Sequence, residues 1–256
     1  MIQRAKIFIK ILFIIFVCGF QNLFAVQNSL KPKEVVWPFE GVFGKIDKQS
    51  AQRGAQIYLQ VCGACHGMKH LYYRNLVEIG FSEEEIKTLA KSYLVIDGPN
   101  DEGEMFERNA LLSDHIVSPY PNAEAAKFVN NGIMPPDLSL MIKARPNGAN
   151  YVYSLLTGYQ DIPNDFQIEN NLYYNPYFEG MKIAMAPPLV EGQVEFMDGT
   201  EASIEQMSKD VVVFLQWAAE PEMEQRKSMG LKVTIFLIIF SILSYISMKN
   251  IWKDIK

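Results

Sequence analysis

Cysteine and histidine are scarce in this 256-residue chain, three of each. Cys18 lies in an N-terminal apolar run, so removal of that run leaves only Cys62 and Cys65, and a disulfide framework is excluded. A second Cys/His cluster, which a structural zinc site needs to complete four ligands, is missing. Basic residues are outnumbered, 24 to 29, for a net charge of -5, which argues against nucleic acid as a partner. The chain has no internal repeat and no low-complexity tract. At 49% hydrophobic and 21% charged it has the composition of a folded domain with appendages.

What is present is concentrated. Val61 to His70 reads VCGACHGMKH, and C-x-x-C-H is the signature of covalent c-type haem attachment. Two thioether bonds three residues apart clamp one edge of the porphyrin, and His66, next in line, reaches the iron. A C-x-x-C redox pair needs no following His and usually sits in a thioredoxin-like βαβ pattern. Asp47 is placed to cap a helix with apolar positions Ala51, Ala55, Tyr58, Leu59 and Cys62, so Cys62 falls near its end. One axial position on the iron remains. His70 is too close to the tether to reach the opposite face and His115 lies in a polar loop. Of twelve methionines, Met134 is followed directly by Pro135 and Pro136, Met185 is followed after Ala186 by Pro187 and Pro188, and Met181 stands four residues before Met185. Spacing alone leaves them open.

The N-terminal run has Arg4, Lys6 and Lys10 ahead of Ile11 to Phe20, and a cut after Ala25 makes residues 1–25 a secretory signal peptide, with an uncleaved anchor as the alternative. Near the other end, Val233 to Met248 is uncharged. The 24 residues from Met229 to Trp252 make about 36 Å of helix at 1.5 Å per residue, long enough to span, with Lys232 and Lys249 free to snorkel. Thr234, Ser241 and Ser244 form a stripe suited to packing against another membrane helix. The expected layout is residues 1–25 as signal, 26–226 as the exported haem domain, 229–249 as the span and 250–256 as a cytoplasmic tail. Residues 26–230 carry 28 acidic and 17 basic side chains, a net of -11, and that field suits encounter with a basic partner.

Between these ends short helices alternate with long loops. Ser82 with Glu85 is a capping box for SEEEIKTLAKSY, and Ser203 with Gln206 another for SIEQMSKDVVVFLQWAAE. A polar loop is expected over Asp97 to Asn122, then a helix in AEAAKFVNNG ended by Gly132, and another helix in NGANYVYSLLTGY. Asp198 and Gly199 suggest a small hairpin between VEFM and TEAS.

WPFEGVFGKID, the haem motif followed by YYRNL, DGPNDEGEMFER, LSDHIVSPYPN, MPPDLSLMIKARPNGANYVYSLLTGY, YYNPYFEG, AMAPPL and DVVVFLQWAAEPEMEQRKSMGLK follow one another in an order and spacing that resemble the cytochrome c1 family. The resemblance covers most of Trp37 to Met248. It implies a mainly α, c-type cytochrome domain with one covalent haem c per chain, held by one C-terminal transmembrane helix. It implies a subunit of the quinol–cytochrome c reductase (bc1) complex, without independent catalysis. The expected partners are cytochrome b, the Rieske iron–sulfur protein, cytochrome c and the lipid bilayer, within a dimeric complex. The expected location is an inner membrane of bacterial type, haem domain on the periplasmic side. By the family pattern Cys62 and Cys65 are the thioether sites, His66 and Met185 the iron ligands, Arg145 and Tyr151 contacts of the haem propionates, and Pro135 and Pro136 part of the pocket lining. Two departures stand out: Met134 replaces a leucine common in relatives, and the extra cysteine pair of some bacterial members is missing. A haem peroxidase or ligand sensor, with an exchangeable sixth position, and a membrane-anchored donor cytochrome outside the complex are the alternatives.

Overall fold

Asp47 starts the first helix as its sequence promises: its carboxylate accepts from the backbone N–H groups of Gln49 and Ser50. In the computed structural model, which describes residues 29–253, that helix is α1 (Lys48–Gln60). It is followed by α2 (Glu83–Lys91), the antiparallel pair β1 (Leu94–Asp97) and β2 (Phe106–Asn109), α3 (Ala123–Val129), α4 (Met141–Ala144) and α5 (Gly148–Leu156). A two-residue antiparallel pair, β3 (Tyr173–Tyr174) and β4 (Lys182–Ile183), precedes α6 (Ile204–Ala219) and α7 (Met223–Trp252). Short 3-10 turns occupy Cys62–Ala64, Tyr73–Ile79 and Glu179–Met181. The expected signal peptide lies outside the described residues.

The core is organised by α1 against α6. The buried face of α1 carries Ser50, Ala51, Gly54, Ala55, Ile57 and Tyr58. Gly54 sets the distance, since a Cβ there would lie 2.1 Å from the Asp210 carbonyl oxygen and 2.7 Å from the Phe214 Cβ. Asp210 is fully buried, and its carboxylate is met by Ser50 Oγ at 2.6 Å, Arg53 Nε at 2.7 Å and Nη2 at 2.9 Å, and Gln206 Nε2 at 3.1 Å. A buried carboxylate satisfied in this way is tolerated, whereas removal of one partner leaves an uncompensated charge. α6 is buried round most of its circumference because α4 and α5 pack on it as well as α1.

Several expectations are corrected. Ser203 Oγ does accept from Gln206 N–H, but the Gln206 amide turns to Asp210, so the second capping box is one-sided. The α3 helix stops at Val129, and Asn131, not Gly132, is the first left-handed residue (φ 53°), with Gly132 N–H bonding the Lys127 carbonyl. The polar stretch from Asp97 contains β2, whose ladder with β1 exposes most side chains and so shows little alternation of polarity. No hairpin forms at Asp198. The turn is there, with Gly199 at φ 74°, but Asp198 accepts from Thr200 N–H and pairs with Arg53, and the flanking residues stay irregular.

The first turn of α7 belongs to the domain. Met223 is buried in the core, Glu224 accepts from Ile46 N–H at 2.9 Å, and Lys227 Nζ donates to the carbonyls of Phe39 (2.6 Å) and Gly44 (3.2 Å). The helix then runs on without a break. Its apolar part has a mean hydropathy of 2.1 and no residue of that window is buried, so it is long and apolar enough to cross a membrane.

Candidate haem-binding site

α1 delivers the first thiol and a tight turn delivers the rest. Val61 ends the helix, the chain enters the 3-10 turn Cys62–Ala64, and the N–H groups of Cys65 and His66 both donate to the Cys62 carbonyl, at 3.1 and 2.9 Å. The two thiols are free, Cys62 half-buried and Cys65 exposed. Burial pushes the Cys62 thiol up to about 12, the opposite of the lowered value that an attacking redox thiolate needs. Among the described residues no group of three or more His, Cys, Asp or Glu side chains could hold a metal ion.

The His66 ring is oriented by a proline carbonyl. Its Nδ1 lies 2.7 Å from Pro136 O. A carbonyl only accepts, so Nδ1 carries the proton and Nε2 presents its lone pair. Burial holds the imidazole below its ordinary pKa, hence neutral near pH 7. A neutral imidazole with a fixed tautomer is what an axial iron ligand requires, and with two thiols on the adjoining turn the residues fit a covalent haem.

Pro136 is itself held. The segments His66–His70 and Pro135–Ser139 lie side by side: Leu138 N–H donates to Gly67 O at 2.9 Å, Lys69 N–H to Asp137 Oδ2 at 2.8 Å and His70 N–H to Ser139 Oγ at 3.1 Å. Asp137 Oδ1 closes its own turn by accepting from Ser139 N–H. Gly67 allows the approach, since a Cβ there would sit 3.0 Å from Ser118 Oγ and 3.3 Å from Asp137 Oδ2. From below, the buried Tyr58 hydroxyl donates to the His66 carbonyl at 3.1 Å. Sequence reasoning names Tyr58 only as an apolar helix position and passes over Gly67 and Asp137, although D-L-S after two prolines is a legible Asx turn.

The remaining candidates form a second group. Arg145, exposed just after α4, stands beside the Tyr151 hydroxyl on α5; burial pushes that phenol up and the guanidinium pulls it down. Tyr159, which sequence reasoning also passed over, donates to the Met185 carbonyl at 3.0 Å. Met185 is half-buried just after β4. Of its rivals, Met181 has a left-handed backbone (φ 60°) and its sulfur takes the Tyr174 hydroxyl at 3.8 Å, while Met134 is about half exposed. His115 stacks on Tyr72 with ring centroids 4.0 Å apart. Among the described residues no hydrogen bond joins the His66–Pro136 group to the Tyr159–Met185 group.

Comparison with known proteins finds relatives over most of the chain. Residues 37–255 match the Cytochrome C1 family. The chain is similar to "Cytochrome c1 2, heme protein, mitochondrial" of Arabidopsis thaliana, 52% identical over 217 residues that cover 85% of this chain and 70% of the relative. It is 46% identical to cytochrome c1 of Rhodospirillum rubrum, covering 86% and 87%, and 41% identical to "Cytochrome b/c1" of Bradyrhizobium diazoefficiens, covering 94% of this chain and 38% of that longer protein. The chain therefore belongs to the cytochrome c1 family, the covalent haem c subunits that carry electrons in the bc1 complex of respiratory chains.

Proposed function

We propose that this subunit accepts single electrons from a Rieske iron–sulfur protein and passes them to a cytochrome c, while cytochrome b supplies its neighbour in the membrane. The observation that carries the reading is the 2.7 Å contact of His66 Nδ1 with Pro136 O, which leaves Nε2 as a ligand. The haem supplies one reversible electron site. The chain's residues would hold and orient it: Cys62 and Cys65 would tether it, His66 and Met185 would ligate the iron, Arg145 and Tyr151 would face the propionates, and Pro135 and Pro136 would line the pocket. A guanidinium suits a partly buried carboxylate, and ligation by both imidazole and thioether sulfur would raise the potential of the bound haem toward the range a Rieske centre can feed. The subunit catalyses nothing alone. The fused name of the Bradyrhizobium relative supports cytochrome b as a partner.

In the same reading residues 1–25 are a removed signal peptide, 26–226 form the haem domain on the periplasmic side of an inner membrane of bacterial type, 229–249 span it and 250–256 are cytoplasmic, within a dimeric complex. The net charge of -11 over residues 26–230 favours a basic cytochrome c.

The test uses the purified complex. Quinol should reduce this haem and added oxidised cytochrome c should reoxidise it, the second step slowing as salt rises. Extraction of the Rieske protein should stop the reduction and spare the reoxidation. Undiminished reduction after that extraction refutes the assignment of the donor.

A further inference from the structure

The loop between Trp37 and Asp47 has a buried stem and an uncovered apolar tip. Trp37 and Phe39 are in the core, their rings stacked 5.5 Å apart. Lys45 N–H donates to Pro38 O at 2.9 Å and closes the loop, and Gly44 N–H donates to Gly41 O within it. At the tip Val42 is 62% exposed and Phe43 80% exposed.

Three contacts fix where that tip lies along α7. Ile46 N–H bonds Glu224, and one turn further along the helix Lys227 Nζ holds the carbonyls of Gly44 and Phe39. Both arms of the loop are thus tied to the first two turns of α7, which holds its tip, Glu40 to Phe43, close to where the uncovered apolar part of the helix begins. From Lys227 to Leu231 is about 6 Å of rise. Lys45 and Lys48 beside the loop and Lys232 on the helix are exposed cations, and Glu40 and Asp47 are exposed acids in the same stretch. An exposed Val and Phe with a lysine close by, next to the entry of a spanning helix, match the headgroup–acyl boundary of a bilayer.

We propose that the Pro38–Lys45 loop is a second membrane contact of this protein, with Val42 and Phe43 inserted into the lipid interface beside α7. The inference rests on the reading that α7 spans. A loop held by Lys227 cannot swing independently of the helix, so the pair fixes how the domain sits over the bilayer.

The experiment places an environment-sensitive fluorophore on single cysteines, Phe43→Cys, Ile242→Cys or Met197→Cys, in full-length holoprotein whose haem cysteines are bonded and whose Cys18 is replaced by Ala. The protein is reconstituted into phosphatidylcholine–phosphatidylglycerol vesicles, and quenching by a lipid-borne nitroxide is compared with quenching by aqueous iodide. Met197 is fully exposed and reports water, and Ile242 reports the span. Position 43 should be quenched severalfold more by the lipid-borne group than position 197 is, and protected from iodide. Iodide quenching at 43 equal to that at 197, with lipid quenching at 242, overturns the loop contact and leaves the span standing. Protection from both quenchers assigns the tip to a protein contact and also overturns it. Absence of lipid quenching at 242 refutes the span and the inference together.

Discussion

The two halves of the proposed haem site are held by different means. On the His66 side, four hydrogen bonds join a five-residue segment to another five-residue segment, and every partner lies within residues 66–70 or 135–139. On the Met185 side one phenol, Tyr159, holds one carbonyl, and the segment is otherwise irregular. The chain itself therefore preorganises the imidazole, while the proposed sulfur ligand, Met185, depends on a looser loop. Ligand exchange under stress should begin at the sulfur.

The sharpest way to test that contrast is to remove the sulfur. Met185→Leu should abolish the weak sulfur-to-iron charge-transfer band of the oxidised protein and lower its potential by about 0.1 V or more, because axial ligation is the main lever on haem potential. Met134→Leu and Met181→Leu should change neither, and redox titration with near-infrared spectra checks all three. Loss of the band in Met134→Leu with retention in Met185→Leu moves the ligand to residue 134.

Asp137→Ala attacks the other half. It frees two backbone N–H groups, Lys69 and Ser139, from charge-assisted bonds and should cost about 2 kcal/mol in denaturant unfolding followed by haem absorbance. A smaller effect is expected for Tyr159→Phe, about 1 kcal/mol, confined to the temperature at which the sulfur-to-iron band fades and with the covalent haem unaffected. If Tyr159→Phe destabilised the whole protein as much as Asp137→Ala does, the two halves would not differ as described.

The smallest effect separates both halves from the charged junction behind them. Asp198 is held down at about 2 by the Thr200 backbone N–H and hydroxyl and then by Arg53. A carboxylate lowered on folding favours the folded state above its ordinary value near 3.8, and that contribution is lost as pH falls through about 2. The melting temperature should thus decline between about pH 4 and pH 2, and Asp198→Asn should flatten that part of the curve. The bonds from Leu138 to Gly67 and from His70 to Ser139 involve no carboxylate and should not share this dependence.

What the sequence displays and what it hides differ in kind. The Asp47 cap and the reciprocal Ser82–Glu85 box are local, and both form as read. The haem motif is local too, and it announces the cofactor without its surroundings. Gly54 looks like a weak point in a helix until Asp210 arrives against it from 156 positions downstream. Pro136 reads as pocket lining, yet its carbonyl is the group that turns the His66 ring, and no spacing rule predicts an acceptor seventy residues away. Asp198–Gly199 has the composition of a hairpin turn, and Arg53 diverts the aspartate to another use. Tyr159 is missed because it reads as the end of the NGANYVYSLLTGY helix, which in the structure stops at Leu156 and leaves the tyrosine in the following loop.

The buried Asp210 also orders events during synthesis. Ser50 and its carboxylate partner are 160 residues apart, so the face of α1 that leads to Cys62 stays uncovered until α6 has been made. At about 5–20 residues per second that interval is on the order of ten seconds. Throughout it the buried face of α1 lacks the helix it packs against, while Cys65 is exposed both before and after α6 docks.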